Sequence, residues 1–150
     1  MTNIIKLICL IVFLTTMSCS QKENKVEYKM PNECAMFEPR LIAAVIEVES
    51  GGNMFAKGDS GKSLGLMQVK VTTAQVMGFT GPKLVLHNTD INLKYGCMYL
   101  YDMYLKSNRN IYVALDCYSR GPQRVKLSPY HGKWEKHPYV GRIIKAVNSH

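Results

Sequence analysis

Most of this chain carries its apolar residues at helical spacing. Between Leu41 and Ser50 the positions Ile42, Val45, Ile46 and Glu49 recur at i, i+3, i+4 and i+7, one arc of a helix at about 100° per residue, with Glu47 on the far side. Glu38 and Pro39 suit the first turn, and Gly51-Gly52 ends the helix. Asn53 to Lys62 is rich in turn formers and has no period, so a loop is expected. Met67, Val71, Ala74 and Met77 predict a second helix from about Leu66 to Met77, closed by Gly78. After a connection holding Gly81-Pro82, Asp90 is the expected N-cap of the longest helix, Asp90 to about Lys106. Ile91, Tyr95, Met98, Leu100, Met103 and Tyr104 give it a broad apolar stripe. A further helix is predicted from about Arg109 to Tyr118, ended by Gly121-Pro122. Gln123 to His137 reads as a basic loop carrying Trp134. A closing helix from Tyr139 to Asn148 turns Val140, Ile143, Ile144 and Val147 to one side. No run of strands stands out, and the predicted class is mainly α.

The chain is 150 residues long, enough for one domain with one core. Ser20 to Asn32 is polar and charged, without a period, and reads as a tether. Ahead of it, Leu7 to Leu14 is an unbroken apolar run preceded by Lys6, too short to span a bilayer and of the length of a secretory signal core. Thr15-Thr16-Met17-Ser18 then leads to Cys19. This stretch resembles a bacterial lipoprotein signal: residues 1–18 would be removed, and Cys19 would be lipidated and anchor the mature chain to a lipid membrane. Thr16 stands where such signals usually carry leucine. The other reading of the segment is an uncleaved membrane anchor. An exported protein of the periplasm or cell envelope is expected, such as an outer-membrane lipoprotein.

Losing residues 1–18, whose one charge is Lys6, takes the formal charge from +8 to +7. Such a surface attracts polyanions. The positive residues are spread through loops and termini rather than along one helix face or among aromatics, so nucleic acid is not an expected partner. Beyond the leader lie Cys34, Cys97 and Cys117. Three cysteines allow three single pairings. Cys34 with Cys97 would tie the start of the domain to its central helix, and the other reading is three small buried hydrophobes. His87, His131, His137 and His150 lack Cys or acid partners at ligand spacing and are expected on the surface, so neither a metal nor another cofactor is expected.

Glu49 is the residue that stands out. Glutamates at helix ends usually escape to solvent, but this one falls on the apolar arc. There desolvation would disfavour the charged form and make the carboxyl a proton donor near neutral pH. The motifs that follow it are Gly65-Leu66-Met67-Gln68, with Gln68 nineteen residues beyond Glu49; Asp90-Ile91-Asn92-Leu93 with Gly96, Tyr99 and Leu100; Cys117-Tyr118-Ser119-Arg120-Gly121-Pro122; and Tyr139-Val140. In this order, over roughly residues 33 to 147, they resemble the catalytic domain of the bacterial lytic transglycosylases, a domain similar in fold to goose-type lysozyme.

The resemblance implies a lysozyme-like fold over residues 33–150, peptidoglycan glycan strands as substrate, and Glu49 as catalytic acid. Cleaving a glycosidic bond needs an acid on the departing oxygen, and most glycosidases add a second carboxylate. Between Glu49 and Asp90 the one acid is Asp59, which fits a one-carboxylate mechanism. In the family the substrate's N-acetyl group stabilises the positive centre. The same glutamate, now ionised, takes a proton from the 6-hydroxyl, giving a 1,6-anhydromuramoyl product. Ser50 would orient the glutamate, Gln68 would hydrogen-bond the sugar, Met67 would pack under the glycan or in the core, and Tyr118 would face the glutamate with Tyr139 near the cleft. Ser119 stands where the family usually has asparagine, Arg120 where a small residue is usual, and Lys70 where an apolar one is common. Arg120 so placed would contact a carboxylate of the peptide stem. Two other readings remain at this point: a muramidase that admits water, with Asp59 as the nearby second acid, and a non-catalytic wall-binding module. Wall turnover, phage release and insertion of an envelope-spanning assembly would all use such a domain.

Overall fold

In the computed structural model, residues 28–125, 129–130 and 132–149 are described. The apolar leader, Cys19, His131 and His150 lie outside them. The helix bearing Glu49 (α1) runs Pro39–Ser50, with proline in its first turn and Gly51 closing it at φ 60°. Ile42, Ala44, Val45 and Ile46 are buried, while Glu47 is exposed.

A small antiparallel sheet follows, which the sequence did not announce. Its strands are Lys57–Gly58 (β1), Ser63–Leu64 (β2) and Val69–Lys70 (β3), in the order β1-β2-β3. Lys57 pairs with Leu64, and Leu64 with Val69. Two residues per strand are too few to show a period of two, so a helix pattern is easily read across them. The second helix (α2) accordingly covers Val71–Val76 only. Leu66 to Gln68 form a turn instead, with Gly65 at φ 74° and Gln68 at φ 49°.

The longest helix (α3) spans Thr89–Lys106 and is capped by Asn88, whose side chain accepts from the Ile91 amide; Asp90 sits inside the first turn rather than capping it. Ile111–Arg120 (α4) is capped by Asn110, because Asn108 and Arg109 take left-handed conformations and hold the chain outside the helix. Pro122–Val125 forms one short helix (α5), and Val140–Ser149 the closing helix (α6). Helices α3 and α4 pack together, as do α1 and α6. The class is mainly α, and no helix among the described residues is long and apolar enough to cross a membrane. At the start of the described chain, Tyr28 and Met30 pack against the core, so the end of the tether segment lies on the domain.

Two features join the layers. A disulfide links Cys34 to Cys97 on α3, while Cys117 is free and buried. Asn92, fully buried on α3, accepts from the Met67 amide at 2.8 Å and donates to the carbonyls of Leu64 at 2.8 Å and Leu86 at 2.7 Å. Gly65 leaves room for this amide, since a Cβ there would sit 2.4 Å from Asn92 Nδ2. Asn92→Ala would strand three buried backbone groups, and a loss of about 3 kcal/mol in urea unfolding is expected. A loss below about 1 kcal/mol would show that the bonds are replaceable.

Candidate active site

Helix α1 delivers Glu49 to the floor of a cleft of about 620 Å³. One wall comes from the sheet, through Gly58, Asp59, Gln68 and Lys70; the other comes from the end of α4 and the start of α6, through Tyr118, Ser119, Arg120, Tyr139 and Arg142. The Tyr139 hydroxyl donates to Glu49 Oε1 at 2.6 Å, joining residues 90 positions apart.

Burial raises the pKa of the Glu49 carboxyl above its ordinary value. The Tyr139 hydrogen bond opposes that rise, Arg142 and Lys70 also favour the ionised form, and Asp59 disfavours it. The result is a group that holds a proton to higher pH than an ordinary glutamate and still has partners for its anion. Burial also pushes the Tyr139 and Tyr118 hydroxyls well up, with the charge of Glu49 adding to both. Both therefore remain hydrogen-bond donors through the neutral range.

Asp59 is held differently. Lys70 lies 2.7 Å from its Oδ2, and the Ser63 hydroxyl donates to the same oxygen at 3.1 Å. These bonds, Lys70 first, keep the carboxyl below its ordinary range, so it stays ionised with Oδ2 engaged. The cleft thus sets a proton-holding carboxyl against one committed to a lysine, the separation that general acid chemistry uses.

The other residues singled out by sequence divide. Gln68 lines the sheet wall with its Nε2 donating to the Gly65 carbonyl at 3.0 Å. Its Oε1 lies over Gly58, where a Cβ would come within 2.3 Å. Met67 is fully buried in the core rather than under a ligand. Its side chain packs on Gly96, and its carbonyl accepts from the Tyr118 hydroxyl at 2.8 Å. Tyr118 therefore braces the Gly65–Gln68 turn while lining the cleft and feeling the charge of Glu49, and the tyrosine hydrogen-bonded to the glutamate is Tyr139. Ser50 turns its hydroxyl to Ile46 O at 3.1 Å, within its own helix, and does not bond Glu49.

Ser119 lines the cleft while donating to the Asp116 carbonyl at 3.1 Å. Arg120 pairs with both carboxylate oxygens of Asp116, so much of the guanidinium is already engaged. His137 is 4% exposed, against the expectation of a surface histidine, because it bonds the same buried Asp116. His87 is half-buried with Nδ1 2.9 Å from the Met54 carbonyl. Arg142 and Asp116 escaped the sequence reading, although each left a signal. Arg142 lies three residues beyond Tyr139 on the same helix side, and Asp116 is a lone charge between Leu115 and Cys117, four residues before Arg120. Among the described residues no group of three His, Cys, Asp or Glu side chains is placed to hold a metal ion.

Residues 28–137 match the transglycosylase SLT domain. The endo-type membrane-bound lytic murein transglycosylases A of Cronobacter sakazakii and Citrobacter koseri are each 41% identical over 69 residues, 41% of this chain and 34% of theirs. The protein of the same name from Klebsiella pneumoniae is 40% identical over 70 residues, 42% of this chain and 34% of that one. The chain thus spans about a third of the length of these curated relatives. Two solved structures share the fold. An inactive mutant of the lytic transglycosylase Slt from Pseudomonas aeruginosa superposes with a TM-score of 0.66 at 24% identity, over 77% of this chain and 22% of that one. The 70 kDa soluble lytic transglycosylase of Escherichia coli gives 0.62 at 20%, over 74% and 21%. The matched span runs from Tyr28, ahead of the Glu49 helix, to His137 and covers well over half the sequence: this chain belongs to the transglycosylase SLT domain family.

Proposed function

We propose that this chain is a lytic transglycosylase that cleaves the β-1,4 bond between N-acetylmuramic acid and N-acetylglucosamine in peptidoglycan. Glu49 is its single acid and base. The observation that carries this reading is the Glu49 carboxyl, desolvated in a cleft and held by Tyr139. In the first step Glu49 gives its proton to the glycosidic oxygen as the bond from the muramic C1 breaks. The N-acetyl oxygen of the same sugar then closes on C1, and the positive charge leaves the ring. In the second step the Glu49 carboxylate, stabilised by the Tyr139 hydroxyl and the charge of Arg142, takes the proton from the 6-hydroxyl. O6 displaces the acetamido oxygen at C1. The product is a 1,6-anhydromuramoyl end, and Glu49 regains its proton.

Asp59 bears on the hydrolytic alternative, since it is the second carboxylate of the cleft. Lys70 and Ser63 hold its Oδ2 and keep its pKa low, which makes it a weak base toward a water. Mass spectrometry of digested peptidoglycan separates the two: anhydromuramoyl ends are expected, and reducing ends without them would overturn the proposal in favour of a muramidase. A protein that binds glycan without any cleavage would support the non-catalytic reading instead.

The leader completes the proposal. Export through residues 1–18 and lipidation of Cys19 would bring the cleft to the wall from a membrane surface and make an envelope-spanning assembly a possible setting. Labelled fatty acid is expected in the wild-type chain and not in Cys19→Ala; equal labelling of both would remove the anchor from the proposal.

A further inference from the structure

Asp116 has no exposed surface, and its side chain is bonded on both sides. Arg120 reaches it from the cleft wall, and His137 Nε2 lies 3.1 Å from Oδ1. The other imidazole nitrogen, Nδ1, accepts from the backbone amides of Tyr139 and Val140, each at 3.2 Å. A nitrogen accepting two N–H bonds carries no proton, so the ring proton is on Nε2, where Asp116 receives it. The His137 carbonyl accepts from the Gly141 amide at 2.8 Å, and Pro138 comes next. This is the geometry of a helix N-cap: a side-chain acceptor serves the second and third amides, and proline takes the first position. Histidine is not a common cap. Here the bond to Asp116 holds the ring in the tautomer that can act as one, between the rings of Tyr130 and Trp134. The second residue of the capped turn is Tyr139, whose hydroxyl rests on Glu49.

We propose that Asp116 and His137 are positioning residues for Glu49: the carboxylate fixes the imidazole, the imidazole caps α6, and the cap fixes the Tyr139 hydroxyl on the Glu49 carboxyl. The inference deepens the reading of Glu49 as acid and base and rests on it for its functional meaning. Neither residue touches the substrate. The groups that face Glu49 are Tyr139, Tyr118 and Arg142 from the helical wall and Asp59 and Lys70 from the sheet. Replacing His137 alters none of these chemically, and because Arg142 also bonds the Pro138 carbonyl of the capped turn, the change in Glu49 titration that reports the placement of Tyr139 is the one that vanishes when Tyr139 is phenylalanine.

The test is a carbon-13 NMR titration of the Glu49 carboxyl in the full chain, assigned through Glu49→Gln, alongside clearing of purified peptidoglycan sacculi. Tyr139→Phe removes a bond to the ionised form and is expected to raise the Glu49 midpoint. His137→Ala is expected to raise it in the same direction, and to lower kcat on the order of tenfold with KM little changed. His137→Asn, whose Oδ1 takes the place of Nδ1 as acceptor, is expected to bring both back toward wild type. Adding His137→Ala to Tyr139→Phe is expected to change nothing further. A midpoint unmoved by His137→Ala, or moved equally in the Tyr139→Phe background, overturns the proposal. If His137→Ala fails to fold, Asp116→Ala, which takes the acceptor away from the imidazole, decides on the same readout, and an unmoved midpoint again overturns it. The titration needs no turnover, so a wild type that cleaves no peptidoglycan defeats the functional reading alone and leaves this inference to the NMR.

Discussion

Glu49→Gln is expected to leave a folded protein that clears peptidoglycan about a thousandfold more slowly than wild type, the scale of a lost general acid. Glutamine keeps the shape of the side chain, and its amide oxygen can still accept from Tyr139, so the packing of α1 against α6 has no reason to change. What it lacks is a proton to give and a lone pair basic enough to take one back. Because both of the proposed steps would pass through the same carboxyl, the loss is not expected to be rescued by added small carboxylates outside the cleft. A variant retaining a tenth of wild-type activity would end the case for Glu49 as the single acid and base and send attention to Asp59.

The second large effect concerns stability. Cys34 and Cys97 close a loop of 63 residues that contains α1 and the entire sheet. Opening it frees the unfolded chain more than the folded one, and a loss of about 4 kcal/mol is expected from chain entropy. In a protein of this size that corresponds to a fall in melting temperature on the order of 10 °C, read by calorimetry with and without reductant. The paired variant Cys34→Ser with Cys97→Ser is expected to match the reduced wild type. Cys117 takes no part: it is 4% exposed, and burial raises its thiol pKa, which leaves little thiolate for exchange. A drop of under 2 °C on reduction would mean that α3 holds the N-terminal turn without the bond.

Helix periodicity carried far in this chain because α1, α3, α4 and α6 are long enough to express it. Glu49 was legible for the same reason: the arc that buries Ile42, Val45 and Ile46 carries the carboxyl with it. The sheet was not legible, because its strands are two residues long and its turn hides in a run that reads as helix. The hidden breaker is Gln68, a non-glycine in the left-handed region, which no propensity rule marks. Both tyrosines were named for the cleft, but which hydroxyl bonds Glu49 was not legible, since sequence says that a hydroxyl exists and not where it points. Tyr118 comes off the last turn of α4 and meets the Met67 carbonyl. Tyr139 comes off a helix start and meets Glu49. The same limit explains His137. Its partner Asp116 is 21 positions away in the chain, and only the packing of α4 beside the capped turn brings them together.

The bond between Tyr139 and Glu49 also sets an order in time. As the chain is made from its N-terminus, the helix with the carboxyl is complete when residue 50 has been added, yet its partner hydroxyl does not exist for another 89 residues. Until then the carboxyl has neither the hydroxyl nor Arg142 to settle its anion, and one wall of the cleft is incomplete. Any chain broken off before Tyr139 carries the acid without the means to use it. The activity proposed for this protein would therefore appear only after Tyr139 and Arg142 have been added.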